Sequence, residues 1–203
     1  MPRTKEQFEA MRLATKDKIH SAAIKLFAKK GFSATGVQDI ADSAGISTGL
    51  LYRHYKTKDE LFNELVSYAT VGIENLVKRF ESDLSPYDII REFTLEILND
   101  FKKDDEFANF LMIMSQAFTM DHPSHQVQLL KKQSEAMMEQ TAILIEKGQK
   151  LGQFKDGDVT EMAYYYFASI QGLAMMKLLL GEQFITPRLN IVTASLVKED
   201  YLD

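Results

Sequence analysis

A chain of 203 residues with no cysteine has room for one large or two small cored domains, and it excludes disulfide scaffolds and thiolate metal centres. Its net charge of −5 is uneven: residues 1–60 hold 11 Lys+Arg against 7 Asp+Glu (+4), and residues 61–203 hold 13 against 22 (−9). A basic head on an acidic body suits a protein that meets phosphates at one end only.

The N-terminal run MPRTKEQFEAMRLATKDK is charged and lacks the apolar core of a signal peptide. The most apolar stretch, Met162–Leu180, is broken by Ser169, Gln171 and Lys177, so neither a membrane span nor a membrane partner is expected, and the location expected is cytoplasmic. Four prolines, ten glycines and abundant Leu, Ala, Met, Lys and Glu point to an all-α fold of about nine helices.

In chain order, Ile19, Ala23, Leu26 and Phe27 recur at helical spacing, which predicts a first helix from about Thr15 to Lys30, stopped by Gly31. The preceding basic residues (Arg3, Lys5, Arg12, Lys16, Lys18) read as a disordered tail that gives weak electrostatic help. Thr35 with Gln38 forms a capping box that opens a second helix. Ser43-Ala44-Gly45 makes a tight turn, and Ser47 caps a third helix, Thr48–Lys56. Thr57 with Glu60 opens a long fourth helix reaching about Phe80. Ser85-Pro86 starts a fifth, and a sixth spans about Glu106–Thr119. A seventh follows His122-Pro123 to about Lys150. An eighth covers Val159–Leu180, and a ninth begins at Thr186-Pro187 with Leu189, Val192 and Leu196 on one face.

Residues 36–58 form the layout of a helix-turn-helix, whose second helix enters the DNA major groove. Ile40, Ala41, Ala44, Ile46, Leu51 and Tyr55 supply the locking apolar set. Thr48, Gly49, Leu50, Tyr52, Arg53 and His54 are left on the outer side. Gly49 permits close backbone approach. Thr48 offers a hydrogen bond to a base edge and Leu50 an apolar contact for a thymine methyl. Tyr52 and His54 suit phosphate contacts, and Lys58 at the start of the fourth helix attracts a phosphate. Thr35 and Gln38 add candidate contacts from the second helix.

The run Gly45-Ile46-Ser47-Thr48-Gly49-Leu50-Leu51-Tyr52-Arg53-His54-Tyr55-Lys56-Thr57-Lys58 resembles the signature of the TetR family of bacterial transcriptional regulators. Ala22–Phe32 upstream shares the likeness, and Gly148-Gln149-Lys150-Leu151-Gly152-Gln153-Phe154 gives a fainter echo of a motif that precedes the penultimate helices of such proteins. The resemblance implies backbone contacts at Tyr52 and Lys58. It also implies a homodimer on two-fold operator DNA and a variable effector-binding C-terminal half.

Residues 1–60 are therefore expected to be the DNA-binding domain, and residues 61–203 the ligand-binding and dimerisation domain. The eighth helix is apolar nearly all round, so it is expected to serve its own core and a partner subunit, with Gly172 and Ala174 permitting close approach and the ninth helix completing a four-helix interface. Ten methionines and thirteen phenylalanines suit core packing or an adaptable effector chamber. The candidate lining is Phe93, Phe110, Met114, Phe118, Met138 and Tyr166, with Gln171, Asn109 or Gln116 for polar selectivity. Asp121, His122 and His125 are the one hint of a metal, and nothing completes a site. No residue set supports catalysis, and no cofactor motif appears. The expectation is a ligand-responsive repressor, neither enzyme nor cofactor protein. The alternative is an architectural or cell-division DNA-binding regulator with the same head and no small-molecule inducer.

Overall fold

The computed structural model describes residues 4–201 and is all-helical, with α1 (Lys5–Lys30), α2 (Val37–Ala44), α3 (Thr48–His54), α4 (Lys58–Phe80), α5 (Pro86–Lys103), α6 (Glu106–Phe118), α7 (His125–Lys150), α8 (Val159–Leu180) and a short α9 (Leu189–Val192). The only extended pairing among these residues is a single antiparallel bridge between Phe154 and Val197.

The first helix starts ten residues earlier than its apolar periodicity predicts. Thr4 and Gln7 form a reciprocal capping box: the Thr4 hydroxyl accepts the Gln7 N–H at 3.2 Å, and the Gln7 side chain accepts the Thr4 N–H at 3.1 Å. Lys5, Arg12, Lys16 and Lys18 are thus helical, and Arg12 is engaged with Glu9 at 2.8 Å. Arg3 lies outside the described residues.

Two apolar clusters organise the packing. The first gathers Ile19, Ala23 and Phe27 of α1 with Ile40 and Ala41 of α2, and Leu51 and Tyr55 close it from α3. It also takes Leu61, Phe62 and Leu65 from the first turns of α4, and Ile113 and Ala117 from α6. The second lies among α5, α7, α8 and the C-terminal segment, centred on Ile89, Ile97, Phe101, Ile145, Phe154 and Tyr166. Helix α4 runs from one cluster to the other and lies along α7.

The ninth helix is a single turn. Beyond Val192 the backbone turns to pair with the loop after α7: the Lys155 N–H donates to Leu196 at 2.8 Å and the Lys198 N–H to Gln153 at 3.1 Å. Val192, Leu196 and Val197 are buried in the second cluster of their own chain, so the expected long helix does not form and its apolar residues face inward.

On α8, the inward residues are Ala163, Tyr166, Ile170 and Ala174. Tyr164, Tyr165, Ala168, Gly172, Met175, Met176 and Leu179 recur at helical spacing on the opposite, exposed side. Ala174 therefore packs into its own core, and the small residues on the outer stripe are Ala168 and Gly172.

Candidate nucleic-acid interface and interior chamber

Gly36, not Thr35, is the N-cap of α2, and the Asp39 carboxylate accepts the Gly36 N–H at 3.0 Å. That backbone N–H, with Lys30 beside it, holds the Asp39 carboxyl below its usual range. Gly45 takes a left-handed conformation (φ 66°) that an L side chain rarely adopts, and its N–H closes α2. Ser47 then caps α3 by accepting the Leu50 N–H at 3.2 Å. The tight turn and cap hold two helices of eight and seven residues in the helix-turn-helix arrangement.

Tyr52, Arg53 and Gly49 are exposed on the outer side of α3, with Thr48 and Leu50 half-buried beside them. A polar chain crosses from α3 to α2. The Thr48 hydroxyl donates to the Gln38 carbonyl oxygen at 2.6 Å, and the Gln38 amide donates to Asp42 at 2.7 Å. This bond fixes the rotamer of Thr48 and joins two of the predicted DNA-contact residues into one unit. Exposed Lys56, two residues beyond the end of α3, is a further cation beside this surface.

Three predicted residues are placed differently. Thr35 is buried, 1% exposed, and its hydroxyl donates to Gly31 at 2.8 Å and Leu26 at 3.3 Å. Its side chain faces the end of α1, away from the outer surface. The Lys58 ammonium donates to the carbonyls of Phe32 (2.7 Å), Thr35 (2.9 Å) and Ser33 (3.4 Å), and lies 4.4 Å from the Phe32 ring centre. All three N–H donors are thus committed to the loop between α1 and α2, so Lys58 clamps the head together. His54 is half-buried with its pKa lowered, first by desolvation and then by Arg12 and Lys16, which leaves it neutral at neutral pH.

A polar cluster ties the recognition helix to α1 and α4. His20 Nε2 lies 2.6 Å from the Tyr55 hydroxyl and 3.6 Å from Glu64, which pairs with Lys16. Tyr55 is 2% exposed, and burial with Glu64 alongside pushes its phenol far above its ordinary value. Desolvation lowers the His20 pKa, only partly offset by the Glu64 charge.

Between the helices of the second half lies a chamber of about 540 Å³, within the range of small-molecule sites. Of the predicted lining, Phe93, Phe110, Met114, Phe118, Met138 and Gln171 all border it. Tyr166 does not: it is wholly buried behind the wall, with its hydroxyl 2.6 Å from the Thr94 hydroxyl. Asn109 and Gln116 are also absent from the lining. The wall includes a side missing from the sequence reading, built from Tyr68, Gly72, Leu76 and Arg79 of α4, with Glu96, Phe107, Met137 and Phe167.

Asp121, His122 and His125 stand at the start of α7, where Ser124 caps the helix and donates to Asn63 at 2.6 Å. Among the described residues no group of three or more His, Cys, Asp or Glu is gathered closely enough to hold a metal ion. No described helix is long and apolar enough to cross a membrane.

The family model described as bacterial regulatory proteins, tetR family, matches residues 19–65, the segment that builds the head. The head of this chain is therefore similar to the DNA-binding segment of TetR-family regulators. Among its relatives, the uncharacterized HTH-type transcriptional regulator YerO of Bacillus subtilis is 35% identical over 48% of this chain and 35% of its own length. The HTH-type transcriptional regulator AcrR of Shigella flexneri is 30% identical over 41% of this chain and 40% of its own. The match thus spans less than half the length of either relative. The fold is similar to that of SmeT, the repressor of the Stenotrophomonas maltophilia multidrug efflux pump SmeDEF, with a TM-score of 0.63 and 20% identity over 92% of both chains. Both relatives are described as HTH-type transcriptional regulators.

Proposed function

We propose that this protein is a TetR-family, ligand-responsive repressor acting in the cytoplasm, which binds a two-fold operator as a homodimer and is released by a small apolar or amphipathic effector. The observation that carries the reading is the position of the chamber: its walls include α4 and α6, and both helices also supply the core of the helix-turn-helix head.

In this reading residues 1–60 engage DNA and residues 61–203 hold effector and partner. Thr48, with its rotamer set by Gln38, and Leu50 read base edges, Gly49 allows close approach, and Tyr52 and His54 with the added cations Arg53 and Lys56 meet phosphates. Lys58 supports that surface through the α1–α2 loop, and Thr35 does so from beneath. The exposed stripe of α8 supports an isologous contact with a second copy, with Ala168 and Gly172 at its middle letting two helices approach. Because α9 is one turn long, α8 carries that contact without the ninth helix. An effector that binds the non-DNA arrangement better shifts operator affinity by the coupling free energy, about 1–3 kcal/mol or 5–150-fold.

The test is selection of duplexes from a random library, followed by mobility shifts and sedimentation. The expected outcome is a two-fold-symmetric site bound by a dimer, with affinity lost in Tyr52→Ala and the dimer retained. Failure to enrich any sequence, or unchanged binding in Tyr52→Ala, overturns the reading.

A further inference from the structure

We propose that the chamber takes an amphipathic cation, an apolar body bearing an ammonium or amidinium group; this rests on the chamber being the effector site. The first support is the wall. Tyr68, Phe93, Phe107, Phe110, Phe118 and Phe167 all border the space, and the faces of aromatic rings attract cations.

The second support is the balance of charge at the rim. Arg79 and Glu96 are the charged residues of the lining, and Arg79 is not free. One guanidinium arm donates to Glu92 at 2.9 Å and the other to Glu96 at 3.0 Å. One cation set against two carboxylates leaves this end with an excess negative charge and no unpaired guanidinium to receive a ligand carboxylate.

The third support lies on the far side of the aromatic wall. Tyr68, Phe107 and Phe110 also border a second groove of about 540 Å³ between the head and the body. That groove carries Asp17, Asp100, Asp104 and Glu106 against Lys103 as its one formal cation, since burial keeps His20 neutral near pH 7. The rim of the chamber and the groove behind its aromatic wall are therefore both negative. Such a field raises the local concentration of cations and repels anionic amphiphiles, with a reach of roughly 8–10 Å at physiological salt.

The experiment is isothermal titration calorimetry on the full chain with three probes that share a 2-naphthylethyl body and end in trimethylammonium, hydroxyl or carboxylate. The ammonium probe is expected to bind at least about tenfold more tightly than the carboxylate, with the gap narrowing as salt rises. Glu96→Gln is expected to lower the ratio of ammonium to alcohol affinity about twofold to fivefold. Gly72→Phe fills the chamber from α4, where an added Cβ meets nothing within 4 Å, and is expected to remove binding of all three while the melting curve stays cooperative. Equal or tighter binding of the alcohol or carboxylate, still removed by Gly72→Phe, overturns the charge preference and leaves the effector chamber standing. If no probe binds, or if binding ignores Gly72→Phe, the chamber reading falls together with the preference.

Discussion

Replacing Gly148 by alanine sets two magnitudes against each other. Glycine in a helix interior costs about 1 kcal/mol relative to alanine, so on propensity alone Gly148→Ala stabilises α7. The structure reverses the sign. A Cβ at residue 148 would lie 2.3, 2.6 and 2.8 Å from Cδ2, Cε2 and Cγ of Phe154, where about 3.5–4.0 Å is the normal carbon–carbon approach. The ring has nowhere to retreat: Phe154 is fully buried, its N–H donates back to Gly148 at 3.2 Å, and the flanking residues are bonded to Leu196 and Lys198. Overpacking of this kind costs about 1–3 kcal/mol, and ejecting the ring altogether costs on the scale of a Phe→Ala change, about 3–5 kcal/mol. Subtracting the propensity gain of about 1 kcal/mol leaves Gly148→Ala less stable by up to about 2 kcal/mol if the ring is squeezed in place, and by about 2–4 kcal/mol if it is ejected. Urea denaturation followed by circular dichroism measures it. In a Phe154→Ala background the methyl enters vacated space, so the same substitution becomes favourable by about 1 kcal/mol and the double-mutant cycle shows strong coupling. A Gly148→Ala protein more stable than its parent would refute the argument.

Lys58→Met keeps the aliphatic stem over Phe32 but loses three carbonyl partners, so denaturation is expected to show a loss of about 1–3 kcal/mol in addition to any loss of DNA affinity. Tyr52→Ala, at a side chain 45% exposed, is expected to leave the melting temperature within about 2 °C of the parent; a larger drop assigns it a structural role. Tyr166→Phe is expected to cost about 1 kcal/mol and to leave effector affinity unchanged, because the phenol bonds Thr94 behind the chamber wall. Acid stability reports His20: its folded pKa lies below the ordinary 6.5, so the unfolded chain takes the proton first as pH falls. The contribution is complete above about pH 6.5 and is lost as pH drops through the folded value. His20→Gln should therefore flatten the fall in melting temperature between about pH 7 and 5, and an unchanged slope counts against the buried neutral ring.

The helix-turn-helix was legible because every signal in it is local: Gly45 needs a left-handed backbone, and Ser47 caps its own third neighbour. Where a competing partner is distant in sequence, local reading misassigns the side chain. Lys58 looks like a phosphate hook, yet its ammonium is engaged by carbonyls of the α1–α2 loop 23 to 26 residues away. Thr35 looks like a forward cap, yet its hydroxyl turns back to Gly31 and Leu26 at the end of α1. The early start of α1 was written in Thr4 and Gln7, outweighed by a basic composition that resembles a tail. Helix α9 fails for a long-range reason, since its backbone pairs with residues 153–155. The α5–α8 part of the chamber followed from the clustering of Phe and Met. Its α4 wall was obscured because Tyr68, Gly72 and Arg79 share no composition that marks a lining.

Helix α6 is a party wall. Ile113 and Ala117 press into the core beneath the recognition helix, whereas Phe110, Leu111 and Phe118 front the chamber, and Met114 serves both. Neither room can be redecorated alone. A lineage that adapts to a new small molecule through α6 perturbs the seating of its DNA reader, and a head grafted from a relative arrives without the half of α6 it was shaped against. Chimeras of this chain should therefore be cut so that the donor's residues at 113, 114 and 117 travel with its first 60.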